Sequence, residues 1–263
     1  MKDKIKDVLA NMKKYNRGTM FFEEFGFDPA IEYDVLVVAP GWNPVKTILD
    51  PSFKVTLLAQ HAYSAGYLVE KEDIRMAWIL TSSGAAHILD YMIICSEMRF
   101  KKCIFAGAVG GLSGRFAVGD LCTAEECISA VYVNRYLDET LPEYKPLDII
   151  KPDLEYTEKI IALAKDSGYD LKRGKVFCTD SFAMEYSHLD EIRATGAELI
   201  EMETGTFYTM AELYEIPSIA LLAVSDNSAT GDPLFGRSDE KKKLYQHTRG
   251  YTIPDLIMKI AKS

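Results

Sequence analysis

A chain of 263 residues with 48% apolar content can bury one substantial core, which points to a single domain over 1–263 with an N-terminal helical extension at about residues 1–30. A formal net charge of -9 and a pI near 5.1 exclude nonspecific binding to a nucleic-acid polymer, though not a small anionic ligand held in a local basic site. No apolar run is long enough to span a bilayer, and the charged first residues lack a signal-peptide core, so a cytoplasmic protein away from the membrane is expected.

In chain order, residues 2–15 predict an amphipathic helix, with Ile5, Val8, Leu9 and Met12 on one face. Residues 34–39 predict a strand that ends in the rigid turn Pro40-Gly41-Trp42-Asn43-Pro44, with a short helix at 45–49. Strands are predicted at 53–59 and 76–80. A strong helix is predicted at 85–100, where Ile88, Met92, Cys95 and Met98 recur at helical spacing. Strands at 103–108 and 118–123 follow. A long surface excursion covers 134–153, then a helix at 154–168 and a strand at 175–179. A short helix at 187–195, a helix at 203–213, a strand at 219–225 and a last helix at 253–261 complete the pattern. Strands separated by helices predict βα repeats on a parallel or mixed sheet.

Two acids stand at the ends of otherwise apolar elements. Asp226 closes the strand 219–225, where open α/β sheets bind ligands and where desolvation can raise a carboxyl toward the range of a proton donor. Glu203 opens the helix that follows Ile200-Glu201-Met202. A purely structural reading of either is equally available: Asp226 as the cap of the next turn, and Glu203 as a first-turn acid favoured by the helix dipole. The segment Gly107-Ala-Val-Gly-Gly-Leu-Ser-Gly114 matches no dinucleotide or triphosphate loop. It reads either as tight turns or as backbone N–H groups approaching a sugar or anion. The five cysteines, Cys95, Cys103, Cys122, Cys127 and Cys178, form no C-x-x-C pair. They read as reduced thiols, and no set of ligands suggests a metal.

Taken together, Gly110-Gly111, Val118-Gly119-Asp120, Glu201-Met202-Glu203 and Val224-Ser225-Asp226 resemble the nucleoside phosphorylase and nucleosidase superfamily in order and spacing, over roughly residues 34–261. Pro40-Gly41 resembles its opening loop. The resemblance implies an α/β three-layer sandwich around a mixed, partly barrel-like sheet, assembled as a homodimer or hexamer. It implies that Glu203 accepts hydrogen bonds from ribose hydroxyls, Met202 packs beneath the sugar, Phe182 stacks on the base, and Asp226 gives a proton to the purine ring. Those roles suit a transition state that is cation-like at the sugar and builds negative charge on the base.

Phosphorylases of this superfamily usually carry an arginine, and shortly after it a hydroxyl residue, at places matched here by Phe105 and Ala108. Lys46 stands where the opening loop commonly has an arginine, and it cannot reproduce a bidentate fork. Water is therefore the expected nucleophile. Residues 106–112 and 224–231 look most like AMP nucleosidases, so hydrolysis of AMP to adenine and ribose 5-phosphate is the leading expectation. A purine nucleoside or uridine phosphorylase is its alternative. No cofactor is expected beyond inorganic phosphate as activator or cosubstrate. Candidates for the anion are Gly41, Lys46, Arg115 and Arg237, with Lys241 as a further cation.

Overall fold

The apolar run of the first strand is buried on both faces, as strands of parallel sheets are. It forms β1 (Glu32–Pro40), flanked in parallel by β4 (Ile74–Thr81) and β5 (Arg99–Gly111). The computed structural model describes residues 2–15, 21–137 and 147–263. Among them ten strands form one sheet. On one side of β1 the sheet is an open wing: β4 pairs antiparallel with β3 (Ala65–Lys71), and β3 with β2 (Lys54–Gln60). On the other side it closes on itself. β5 runs parallel to β10 (Ser218–Asn227), which meets β6 (Leu121–Ser129) antiparallel. β6 runs parallel to β8 (Leu171–Cys178), and β8 to β9 (Leu199–Glu201). β9 then returns to β5 at Gly110 opposite Ile200. The five-strand ring is the barrel-like part of a mixed sheet. A short β7 (Asp148–Ile150) lies along β6.

Helices cover both faces. On one, α1 (Lys2–Tyr15), α3 (Ala85–Cys95) and α6 (Thr204–Tyr214) bury Ile5, Leu9, Met92 and Phe207 against Phe105 and Leu222. On the other, α4 (Leu154–Asp166) and α8 (Ile253–Lys262) bury Ile160, Leu256, Ile257 and Ile260 against Ile104 and Leu221. In α8, Ile253, Leu256, Ile257 and Ile260 recur at the i, i+3, i+4, i+7 spacing of one helix face. Short helices α2 (Pro44–Thr47), α5 (Leu189–Ala194) and α7 (Asp239–His247) link the strand ends. All five cysteines are buried and free. No helix among the described residues is long and apolar enough to cross a membrane.

The departures from the sequence pattern have local causes. The strand β3 was not expected, because Ala65-Gly66 and Glu70-Lys71 dilute its apolar signal. It forms because it pairs with both neighbours along its length. The helix expected to reach 100 stops at Cys95, where Ser96 turns back onto the carbonyl of Ile93. Arg99 and Phe100 then join the sheet opposite Glu32 and Tyr33. The strand expected at 118–123 begins at Leu121, because 117–120 is a turn: Gly119 has φ +96°, and Asp120 accepts the Ala117 N–H at 2.7 Å. The glycine-rich segment is strand through Gly111, so a turn is the wrong reading for most of it. Part of the predicted excursion, 138–146, lies outside the described residues.

Candidate active site

At the end of β10 the register slips between Val224 and Asp226, and this bulge turns the Asp226 side chain into a cavity. The glycine pair of β5 makes room for it. A Cβ on Gly110 would lie 3.2 Å from Oδ2 of Asp226, and one on Gly111 would lie 2.5 Å from the Asn227 amide nitrogen. Asn227 ties down the following turn: its Nδ2 donates to the carbonyls of Ser113 (2.8 Å) and Phe116 (2.6 Å), and its Oδ1 accepts the Ala229 N–H at 2.8 Å. The capping expected of Asp226 is thus done by its neighbour. Asp226 itself is 9% exposed, and among the described residues the side chain that donates to it is the Ser225 hydroxyl. Burial raises its pKa. The Ser225 hydrogen bond and the charge of Arg237 oppose that rise without cancelling it.

The same division of labour recurs at the start of α6. Glu201 accepts the N–H groups of Glu203 (2.7 Å) and Thr204 (2.6 Å), satisfying donors that a helix start leaves open. Glu203 makes no capping bond of its own. Its Oε1 accepts the N–H of Gly84 at the mouth of α3, and it is 6% exposed. Burial, and then the Glu201 charge beside it, push the Glu203 carboxyl up to about 8. Glu201 is also raised, by burial.

Asp226 and Glu203 line one cavity of about 360 Å³. Met202 and Phe182 line it as well. Phe182 is 51% exposed, at the rim on the segment that leaves β8. Gly41 (φ +67°) and Trp42 also line the cavity, and the Gly41 N–H is taken up by the Thr81 carbonyl at 2.9 Å.

The expected cations separate. Lys46 is exposed on α2, and Arg115 is ion-paired with Glu198 and donates to the Arg173 carbonyl; neither lines the cavity. Lys241 sits 3.4 Å from Asp232. Arg237 lies with its guanidinium 4.8 Å from the Tyr245 ring centre, near enough to Asp226 to lower that carboxyl.

Two lining residues carried no sequence signal. Arg249 sits in a π-helical turn (Thr248–Thr252) between α7 and α8, a local geometry often found at functional sites. Its guanidinium lies 5.2 Å from the Trp42 ring, its Nη2 donates to Thr47 Oγ1 at 2.9 Å, and its buried Nε has no partner. Glu185, three residues after Phe182, is half-buried. Its carboxyl is pushed up to about 7 by burial and then by the Asp226 charge. Phe105, in contrast, points away from the cavity: it is fully buried, with its ring 5.6 Å from that of Phe207.

A closed ring of strands with a bulged carboxyl at one strand end, and a second acid held over the same cavity, defines an α/β protein with an enzyme-like pocket. The chain belongs to the phosphorylase superfamily, whose family model matches residues 82–248. It is 29% identical over 133 residues to purine nucleoside phosphorylase DeoD-type from Exiguobacterium sibiricum, covering 50% of this chain and 54% of that protein. A protein of the same description from Clostridium beijerinckii is 29% identical over 138 residues, with the same coverages. The chain thus spans about half the length of the curated relatives it matches. The crystal structure of 5'-methylthioadenosine/S-adenosyl homocysteine nucleosidase from Campylobacter jejuni shares the fold, with a TM-score of 0.66 over 87% of this chain and 99% of that one, at 14% identity.

Proposed function

We propose that this chain cleaves the N-glycosidic bond of a purine nucleoside, with inorganic phosphate accepting the ribosyl group. The observation that carries the reading is the pair Glu203 and Asp226: two buried carboxyls, both raised, each relieved of capping by a neighbour and both facing one cavity. Glu203 holds the ribose diol through its outer oxygen. Asp226, protonated, gives its proton to N7 as the electron pair of the C1'–N9 bond passes to the base. A phosphate oxygen closes on C1', yielding free base and ribose 1-phosphate. The proton of hydrogen phosphate then restores Asp226. Met202 and Phe182 supply apolar surface to the sugar and the base.

Phosphate takes precedence over the water expected from the sequence for two reasons. Phe105 packs into the core, so its lack of charge says nothing about an anion in the cavity; Ala108 does line the cavity and leaves the donating to other groups there. Arg249 brings to the Gly41–Trp42 wall a guanidinium with an unused buried N–H, and a dianion needs such a donor once it leaves water. AMP hydrolysis, the other reading, would set the 5'-phosphate against the same cation.

The test is product identity. Adenosine, inosine, uridine and AMP are each incubated with and without phosphate. Ribose 1-phosphate from a purine nucleoside, with no cleavage after rigorous phosphate removal, is expected. Arg249→Met should raise the KM for phosphate by about tenfold or more, since a charge-assisted hydrogen bond is worth about 1.5–3 kcal/mol. Free ribose or ribose 5-phosphate formed in phosphate-free buffer would overturn phosphorolysis and restore the hydrolytic reading.

A further inference from the structure

Asp226 has a second carboxyl for company. Glu185 lines the same cavity from the 3-10 turn Met184–Ser187, on the segment that carries Phe182, and it comes close enough to Asp226 to feel its charge. Its backbone N–H donates to the Ser181 carbonyl at 3.2 Å, which anchors the turn. No cation is paired with the Glu185 side chain in the salt bridges of the described residues. The proposed mechanism gives Glu185 no task.

We propose that Glu185 is a specificity residue that selects 6-aminopurines, its carboxylate accepting a hydrogen bond from the exocyclic amino group while Asp226 serves N7. The proposal rests on the reading of Asp226 as the N7 acid. It follows from donor and acceptor accounting along one edge of the base. N7 and the substituent on C6 are neighbours on that edge, so a carboxyl beside Asp226 on the Phe182 wall meets the C6 substituent. Asp226 must hold a proton to donate to N7. Burial and the Asp226 charge push the Glu185 carboxyl up to about 7, so without a base the proton rests on Glu185; a base that needs a proton on Asp226 at N7 draws it across the pair. When Asp226 carries it, Glu185 is left as an acceptor. A 6-amino group supplies the N–H that acceptor needs. A 6-oxo group sets a carbonyl oxygen against a carboxylate, which strands two acceptors in a part-buried site unless a second proton is taken up. Sites that leave a polar group unpaired in the wrong complex discriminate far more sharply than sites that differ by shape alone. The charged and titratable groups around Glu185 are Asp226, Glu201, Glu203 and Arg249 of the same cavity and Tyr186, whose hydroxyl is itself raised by burial and then by Asp226 and Glu185, with His188 and Glu191 lining an adjoining hollow.

The experiment measures binding of free adenine, hypoxanthine and unsubstituted purine by calorimetry, alongside kcat/KM for adenosine and inosine, on the wild type and Glu185→Gln. In the wild type adenine should bind at least tenfold more tightly than either hypoxanthine or purine. Adenosine should exceed inosine by at least tenfold in kcat/KM. Glu185→Gln, whose amide can donate to a 6-oxo group, should shrink both ratios by tenfold or more, mainly through KM. Equal binding of adenine and purine by the wild type would overturn the assignment without any variant. So would ratios unchanged within twofold in a folded Glu185→Gln protein. Failure of the cleavage reading is distinct: the wild type would then turn over neither nucleoside, whereas the base-binding ratios would still decide the role of Glu185.

Discussion

The two ends of the cavity solve one problem with different materials. At the β9–α6 junction and at the end of β10, the backbone presents donors that some side chain must satisfy. In each case a neighbour does so and leaves an acid free. At β9–α6 that neighbour is Glu201, itself an acid, so two carboxyls are buried side by side and both titrate high. At β10 it is Asn227, a neutral amide, and the second acid, Glu185, arrives half-buried from an exposed turn. The first end is bound into the backbone of a helix; the second is assembled from side chains. Buried acids next to each other cost stability, and such placements cluster at functional sites. The helix end should therefore show its acids in folding stability as well as in activity, and the strand end chiefly in activity.

The largest expected effect falls at the strand end. Asp226→Asn should keep the fold and lower turnover by roughly 10²- to 10⁴-fold, the usual scale for a general acid. Nearly wild-type turnover of a purified variant on its best substrate would remove Asp226 from the chemistry and with it the comparison.

Next comes Glu201. Glu201→Ala leaves the N–H groups of Glu203 and Thr204 buried without an acceptor, at about 1–3 kcal/mol for each donor stranded. Urea denaturation should show it less stable than Glu203→Ala, which leaves both of those donors with Glu201 and releases the Gly84 N–H. Equal losses would mean that Glu201 is not the residue that closes the helix.

The smallest effect is the most discriminating. In assays above pH 8, where the Glu203 carboxyl is ionised, Glu203→Gln should lower kcat/KM for a ribonucleoside by an amount equivalent to about 1.5–3 kcal/mol, and for its 2'-deoxy counterpart by less. Its stability effect has a definite sign. The Glu203 carboxyl moves from 4.5 when unfolded to about 8 when folded. Its contribution is therefore fully present below about pH 4.5 and lost as pH rises toward and through 8. Thermal melts of Glu203→Gln should gain on the wild type between pH 5 and pH 9. A constant difference in Tm across that range would show that Glu203 does not titrate high.

Much of this was legible in the residues. The apolar runs of β1 and β10 and the heptad-like faces of α1 and α8 follow from burial and periodicity, which act locally and leave their mark in the order of side chains. Acids that end apolar elements stand out, so Glu203 and Asp226 could be singled out before any coordinate was known. β3 and the start of β5 were not legible, because their strand character comes from partners on both sides rather than from their own composition.

What the sequence by itself determined is the α/β alternation, the placement of Asp226 at a strand end and of Glu203 at a helix start, and the presence of glycines in the neighbouring strand. Only the tertiary structure decided which neighbour caps and which acid is free, because that depends on where Glu201 and Asn227 find backbone partners. Closure of the ring through β9 and the bulge at Ser225 set the cavity, and a π-helical turn far along the chain brought Arg249 to it while Arg115 and Lys46 stayed outside. A charge in a sequence has no address. The approach of elements more than a hundred residues apart gives it one, and desolvation at that meeting point is what turns ordinary carboxyls into groups that hold a proton near neutral pH.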